Sequence, residues 1–508
     1  MRAVPFSVVC ALVVSAPAYA DDGLNNFGRI SDARPVVSAS APKDPWGPVA
    51  GEKISVVNLA PGILAYFNNG PVFGLPGTVT GDIWSRTQLL GDWGGTRTEL
   101  ARKGYFFDMY STSVYQDVTS GGLKTGSAFI QNNQISVNID TGRAGFWSGG
   151  ILHFTVQQRY GDKPEDTFTS GASVPHYTGM VYPDPLDNHQ TLPTEYYVVQ
   201  AFDKHFSAVV GKISNIFIPD QTMFANSYKY QFANFNFNKN PMTPNFYNPT
   251  SLAALGVWAV NERFAIAGGV LDPNSKADNF ATDAFDRVNL YLTSVMGYDI
   301  NGLPGMFSPA FNWSNKPKVN LERPFGPIPL AQVPQAVGAL LGAVSYDGLP
   351  VNYRSDSWFA IANLSQYLFV KDDPSTVRKK MKSGEVIRGV GLFGRVGLAP
   401  EDTNTISRDF SVGLFAHGLL DGRPFDSFGV GYYYNGISSK FKDTIRTYTA
   451  GTSSASDETG VEVFYDFAIT PAVRLIPSYQ RIWHPLAAQV ADHKESADIF
   501  LTRMTIAW

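Results

Sequence analysis

Gln134-Ile135-Ser136-Val137-Asn138-Ile139-Asp140 sets an apolar side chain at every second position. Downstream, Leu152, Phe154, Val156 and Tyr160 alternate with His153, Thr155, Gln157 and Arg159. Successive side chains of a strand point to opposite faces, so strict alternation is a strand with one apolar face. In water that face would pack into a core. In a membrane barrel it meets lipid, and the polar face lines a lumen.

The same reading extends along the chain. Phe106–Gln116 carries apolar residues in both registers, which leaves its facing open. Strands are expected at Glu195–Phe202 and Phe206–Phe217 across Asp203-Lys204, at Leu252–Val260 and Phe264–Leu271 across Asn261-Glu262, and at Val288–Tyr298. Further ones are expected at Trp358–Val370, Ile387–Leu398, Asp409–Gly418, Phe428–Ser438, Gly460–Thr470, Ala472–Trp483 and Ser496–Trp508. That makes fifteen; closed bacterial barrels take even numbers, and sixteen is the nearest. Between them, Asp162–Thr194 is rich in Pro, Asp and His, and Phe217–Pro249 is dense in Asn and Phe without a period. Asp299–Arg354 is the longest interruption, with Pro304, Pro309 and six further prolines and a short helix near Ala331–Leu341. Loops of this length are usually functional. Tight turns near 203 and 261 against long loops near 162 and 299 describe a barrel with one loopy end. The expected fold is therefore all-β: a transmembrane antiparallel β-barrel with a short N-terminal helical or irregular segment and long extracellular loops.

Composition agrees. The 508 residues are 44 % hydrophobic and 13 % aromatic, with 35 Phe and 24 Tyr. Mean hydropathy is −0.10. A helical membrane protein needs repeated apolar runs of about 20 residues, whereas a barrel is apolar on one face only. Met1–Ala20 reads as a secretory signal, with Arg2, an apolar core Val4–Ala16 and Ala18-Tyr19-Ala20 before the cut. The only cysteine, Cys10, leaves with it, so the mature chain has no thiol, and its net charge of −5 argues against a nucleic-acid partner. Residues 21–82 form a Pro/Gly-rich periplasmic leader, and 83–508 the barrel domain with a turn-helix segment at 84–103.

That segment contains Leu89-Leu90-Gly91-Asp92-Trp93-Gly94-Gly95-Thr96-Arg97, a glycine turn before a short polar helix. It resembles the block that opens the barrel in the OprB family of carbohydrate-selective porins. Trp147-Ser148-Gly149-Gly150, Gln157-Gln158-Arg159-Tyr160-Gly161, Gly391-Leu392-Phe393-Gly394-Arg395-Val396-Gly397, Thr470-Pro471 and His484-Pro485 look like the same family, in the same order. The resemblance implies a sixteen-stranded outer-membrane barrel in a Gram-negative bacterium, each barrel its own channel, passing sugars by diffusion. Related porins are often trimeric; a homotrimer is an expectation, though no stretch marks an interface. The terminal strand, ending on Trp508, looks like the signal read by the barrel-assembly machinery, with Trp where most have Phe.

No catalytic constellation is visible. The seven histidines show no metal-ligand spacing, and there is neither a Gly-x-Ser-x-Gly elbow nor a phosphate loop. No cofactor, metal or enzymatic activity is expected. The informative residues are charges on the polar side of strands: Arg159, Arg395, Arg474 and Arg503, with Glu462 and Asp466 as natural partners for Arg474. A charge facing lipid at mid-depth costs about 2–4 kcal/mol, so these should face the lumen. There a planar guanidinium can donate to adjacent sugar hydroxyls. Equally, it can pair with a carboxylate in the wall. Asp92, Trp93 and Arg97 either narrow the lumen or order the periplasmic rim. The function expected is passive diffusion of small sugars such as monosaccharides, with outer-membrane lipid around the barrel. The alternatives are a general or anion-preferring porin and, from another class, a secreted carbohydrate-binding or hydrolysing β-protein.

Overall fold

The computed structural model describes residues 79–181, 189–203, 205–214, 222–225, 227–261, 263–279, 284–377 and 387–508. The expected signal peptide and nearly all of the expected leader lie outside the described residues. Sixteen antiparallel strands close into one barrel. They are β1 Tyr105–Gly121, β2 Gly126–Asp140, β3 Gly150–Gly161, β4 Gln190–Ala201, β5 Phe206–Ser214, β6 Thr250–Asn261, β7 Phe264–Leu271, β8 Asn289–Ile300 and β9 Leu303–Ser314. The rest are β12 Ser357–Val370, β13 Gly389–Leu398, β14 Ile406–His417, β15 Ser427–Ile437, β16 Glu458–Thr470, β17 Val473–Trp483 and β18 Ser496–Ala507. β10 Lys318–Val319 and β11 Tyr353–Arg354 pair outside the barrel. Each strand bonds to its neighbour in sequence, and β1 closes the ring on β18, with Tyr110 opposite Ala507 and Ala497 opposite Gly121.

The sixteenth strand is β9, which lies inside the stretch expected to be a single long interruption. Pro304 and Pro309 hid it, because proline cannot donate to a ladder. The structure shows how Pro309 is accommodated. Its β12 side keeps register, with Ala362 opposite Pro309. On its β8 side the pairing skips from Thr293–Ala310 to Met296–Phe307. The remainder of the interruption is an extracellular cap, where α2 Val333–Leu340 packs with α3 Ser439–Tyr448 through Ala336, Leu340, Phe441 and Ile445. Another helix, α1 Thr96–Arg102, is the expected N-terminal segment.

Burial is inverted relative to a water-soluble sheet. On β16, Val463 and Phe467 are 48 % and 42 % exposed, while their neighbours Glu462 and Asp466 are 0 % and 1 % exposed. Exposed apolar and buried charged residues alternate likewise on β13 and β18. Water would not favour that arrangement; a hydrocarbon surround with a polar interior does. Aromatic pairs bound the band, with exposed Phe206 and Trp258 paired at one end and exposed Tyr115 and Phe129 at the other. The end with the short turns is periplasmic. One connection on that side, residues 371–388, is a long exception.

Asp92, Trp93 and Arg97 sit where the barrel closes. Trp93, Gly94 and Gly95 take φ of 52°, 68° and 98°, a left-handed run that two glycines make accessible. Asp92 accepts from the Thr98 amide at 2.7 Å and from its hydroxyl at 2.8 Å, which starts α1. Arg97, buried and 5.1 Å from the Trp93 ring, then donates to the Trp508 carbonyl oxygen at 3.1 Å and to the Phe107 carbonyl. The guanidinium thus bridges the first and last strands. Arg97→Ala should destabilise the folded barrel by about 2 kcal/mol, the range for hydrogen bonds to a charged group. Heat-modifiable gel mobility reads this: unfolding should move to lower temperature, and an unchanged transition would contradict the assignment.

Candidate functional site: the loop-filled lumen

The connection between β5 and β6 does not project outward. Every described residue from Thr222 to Thr243 is buried, including Lys229, Lys239 and four asparagines. The segment lies inside the barrel, where each of its backbone groups needs a partner. The wall supplies them. Arg503 donates to the Tyr228 carbonyl at 2.5 Å and the Gln231 carbonyl at 2.6 Å. Arg395 donates to the Ala225 carbonyl at 2.5 Å and the Asn238 carbonyl at 3.2 Å. Glu462 accepts from the Ala233 and Asn234 amides at 2.7 and 2.8 Å. Ser365 and Thr505 hold Met223 and Lys229. Asn234, capping the single helical turn Phe235–Asn238, also donates to Gln480 at 3.0 Å.

The loop's apolar face packs on the β12–β16 wall. Phe232 lies 4.8 Å from Phe237, 4.9 Å from Phe464 and 5.4 Å from Phe393, and Phe224 lies 4.9 Å from Tyr367. Room for these rings comes from glycines facing inward. A Cβ on Gly391 would meet the Phe224 ring at 2.1 Å; on Gly429 it would meet Phe464 at 2.4 Å and Phe232 at 2.8 Å; on Gly431 it would meet Phe237 at 2.6 Å.

The β3–β4 loop closes over the same segment. Thr178 donates its amide to the Ala233 carbonyl at 2.9 Å, and Gln480 donates to the His176 carbonyl at 2.9 Å. The His176 ring is buried between Ser170 at 2.9 Å and Gln116 at 3.1 Å.

The expected lumen-lining residues face inward, and Arg159, Arg395, Arg474 and Arg503 are each at most 2 % exposed. Arg395, Arg503 and Glu462 meet on the loop. Arg474 instead pairs with Asp466 at 2.6 Å and donates to the Phe425 carbonyl at 2.8 Å. Arg159 stands on the β3 wall, close enough to Tyr177 to act on its hydroxyl electrostatically. Asp92, Trp93 and Arg97 are at the rim. On β2–β4 one inward polar side chain is only partly buried. His153, 13 % exposed, stacks on Tyr197 at 4.4 Å. It contacts Asn138 at 2.7 Å and Thr155 at 2.8 Å, with Glu195 at 3.9 Å. From the loop, Lys229 reaches Gln134 at 3.0 Å and lies 4.2 Å from the Tyr110 ring. Sequence reasoning missed this strip and the loop that faces it. The available signal was the inward glycine spacing at 391, 397, 429 and 431.

Comparison with known proteins settles the class. The profile of the carbohydrate-selective porins, OprB family, matches residues 124–505. This chain belongs to the OprB family. It is an outer-membrane porin for carbohydrates of the Gram-negative type. The family is a family of channels, and an outer-membrane porin stands in place of the secreted carbohydrate-binding or hydrolysing β-protein weighed as an alternative. The chain is 22 % identical over 469 residues to the putative porin QuiX of Acinetobacter baylyi, covering 83 % of this chain and 94 % of that one. It is 23 % identical over 360 residues to Porin B of Pseudomonas aeruginosa, covering 68 % and 72 %. Its fold is shared with the high-pH structure of Pseudomonas putida OprB, at 16 % identity, TM-score 0.66, and 83 % and 98 % coverage.

Two outcomes follow from this porin's loop packing. Gly431→Leu leaves no room for Phe237 and should drive the loop from its seat, raising single-channel conductance by roughly two- to threefold; unchanged conductance with intact folding would refute the packing. Burial pushes the His176 imidazole down to about 4. The docked ring is therefore neutral, whereas an undocked ring takes a proton below its ordinary value near 6.5. Acid thus favours undocking increasingly from 6.5 towards 4. Loop-opening events in planar bilayers should become more frequent between about pH 7 and about pH 5. The His176→Asn variant should lose that dependence; equal pH profiles for the two proteins would contradict it.

Proposed function

We propose that small sugars, monosaccharides first, cross this porin along the β2–β4 strip. There His153 on Tyr197 offers an aromatic surface, and Gln134, Asn138 and Glu195 offer hydrogen-bonding groups. Aromatic faces suit the C–H side of a pyranose while polar groups orient its hydroxyls. The observation that carries this reading is that His153, only partly buried, stacks on Tyr197 beside inward polar side chains, and that Lys229 of the loop bonds to Gln134 of the same strip. In this reading Arg395, Arg503 and Glu462 act on the sugar through the loop: they set its position, and so the width of the passage, while Arg159 and the Arg474–Asp466 pair belong to the wall. An anion-preferring porin is the second reading, favoured by Lys229 and Lys239 on the loop, whose field would draw anions inward. We also propose that the barrel is delivered by the assembly machinery through its last strand and works as a homotrimer.

The test is single-channel conductance titrated with glucose and with chloride. Glucose should reduce the current in the native channel. In Tyr197→Ala the apparent glucose affinity should fall roughly three- to tenfold with conductance nearly preserved. Current insensitive to glucose, with strong chloride selectivity, would leave the anion reading in its place.

A further inference from the structure

The inward face of β8 and β9 carries buried polar atoms that the protein leaves unbonded. Asn312 is fully buried, and neither its Nδ2 nor its Oδ1 has a hydrogen-bond partner among the described residues. Asn289, equally buried, donates to the Phe246 carbonyl at 2.9 Å, yet its Oδ1 accepts from no described residue. The buried Tyr247 hydroxyl is unpartnered as well. Such groups lower the stability of a fold, and the few that folded proteins keep mark strain, function or a bound molecule.

These atoms belong to one patch walled by aromatic rings. Asn312 stands opposite Tyr291 of β8 on one side and Phe359 of β12 on the other. The end of the β5–β6 loop covers them from the lumen. The Phe246 ring lies 4.7 Å from that of Phe359 and the Tyr247 ring 6.4 Å, with the Tyr247 hydroxyl in electrostatic reach of Tyr291. The loop is pinned on either side of the two rings. Asn245 donates to the Thr403 carbonyl at 3.0 Å and Asn248 to the Ser275 carbonyl at 2.6 Å. Asn312 is two residues from Ser314, the extracellular end of β9, whereas His153 is three residues from Gly150, the periplasmic end of β3. The patch and the β2–β4 strip thus lie at opposite heights of the lumen.

We infer that this patch is a second sugar subsite, centred on Asn312 at the extracellular end of the lumen and closed here by Phe246 and Tyr247. An amide that can donate and accept suits two adjacent hydroxyls of a pyranose, and the rings beside it suit the C–H faces. The ligand is uncharged: the cation at the edge, Lys318, 4.9 Å from the Phe246 ring, places its ammonium on the Asn245 carbonyl. Turning the Tyr247 side chain away uncovers the amide, and the sugar then supplies the bonds that the closed patch lacks. The inference rests on the reading that sugars cross this porin, and it names where a sugar entering from outside binds first.

The test is glucose block of single-channel current in native protein, Asn312→Leu, Tyr197→Ala and the double variant, with heat-modifiable gel mobility for stability. Asn312→Leu keeps the volume and removes both unpartnered groups. Its apparent glucose affinity should fall at least roughly threefold, and it should unfold at a higher temperature than native protein, since a buried amide without partners has gone. Tyr197→Ala should keep a residual glucose block that the double variant loses. Native glucose affinity in Asn312→Leu would overturn the subsite; if that variant were also less stable, the amide holds only water. A native channel indifferent to glucose would overturn both subsite and strip. Native affinity in Tyr197→Ala beside weakened affinity in Asn312→Leu would overturn the strip alone and support the subsite. If Asn312→Leu does not fold, Tyr247→Phe decides: loss of one hydroxyl should lower the affinity roughly twofold or more, and an unchanged affinity would overturn the subsite.

Discussion

Arg503, Arg395 and Glu462 bind the backbone of a loop that lies entirely inside a closed barrel, and the rest of the channel depends on that contact. A strand barrel of this size leaves a wide lumen. What enters it here is a peptide whose carbonyls face guanidinium groups and whose amides face a carboxylate. Each partner alone would be a charge or a backbone group removed from water at high cost. Together they satisfy one another, so the loop gains a fixed position and the charges gain a reason to be there. The aromatic contacts on Gly391, Gly429 and Gly431 add the apolar half of the same seat.

Closure of the barrel comes first in this hierarchy, because the wall must be continuous before the seat exists. The strands that meet last in sequence, β1 and β18, carry both parts of the argument. Arg503 reaches inward from β18 to the loop, while Trp508 at its end is held by Arg97 from outside the ladder. On the opposite face of the same strands lies Ser111, which accepts from the Trp508 indole. The seam and the loop's seat are therefore adjacent in the wall.

Much of this architecture could be read from alternation alone. Asp409-Phe410-Ser411-Val412 alternates as a strand with unlike faces does, and the arginines on the polar faces of such strands point into the barrel. β9 was lost because two prolines outweigh the alternation of Phe307, Pro309 and Phe311 with Ser308, Ala310 and Asn312; proline on a strand face is ambiguous until its neighbour is known. The partners of the arginines could not be read. The described residues of 222–243 have no period because they form no strand and a single helical turn, and their order comes from distant side chains: Arg395 reaches the Ala225 carbonyl 170 positions away, and Glu462 the Asn234 amide 228 positions away. The inward glycines are a trace of that packing, since a mid-strand glycine has no other evident use there.

The most direct measurement is thiol labelling of Ala233→Cys. The one native cysteine, Cys10, lies in the expected signal peptide, and Ala233 is fully buried with its own amide held by Glu462. With a membrane-impermeant maleimide in folded protein, labelling should be negligible, and it should become rapid when Arg395→Gln and Arg503→Gln are added. Rapid labelling of Ala233→Cys alone would contradict a loop held in the lumen by the wall's charges.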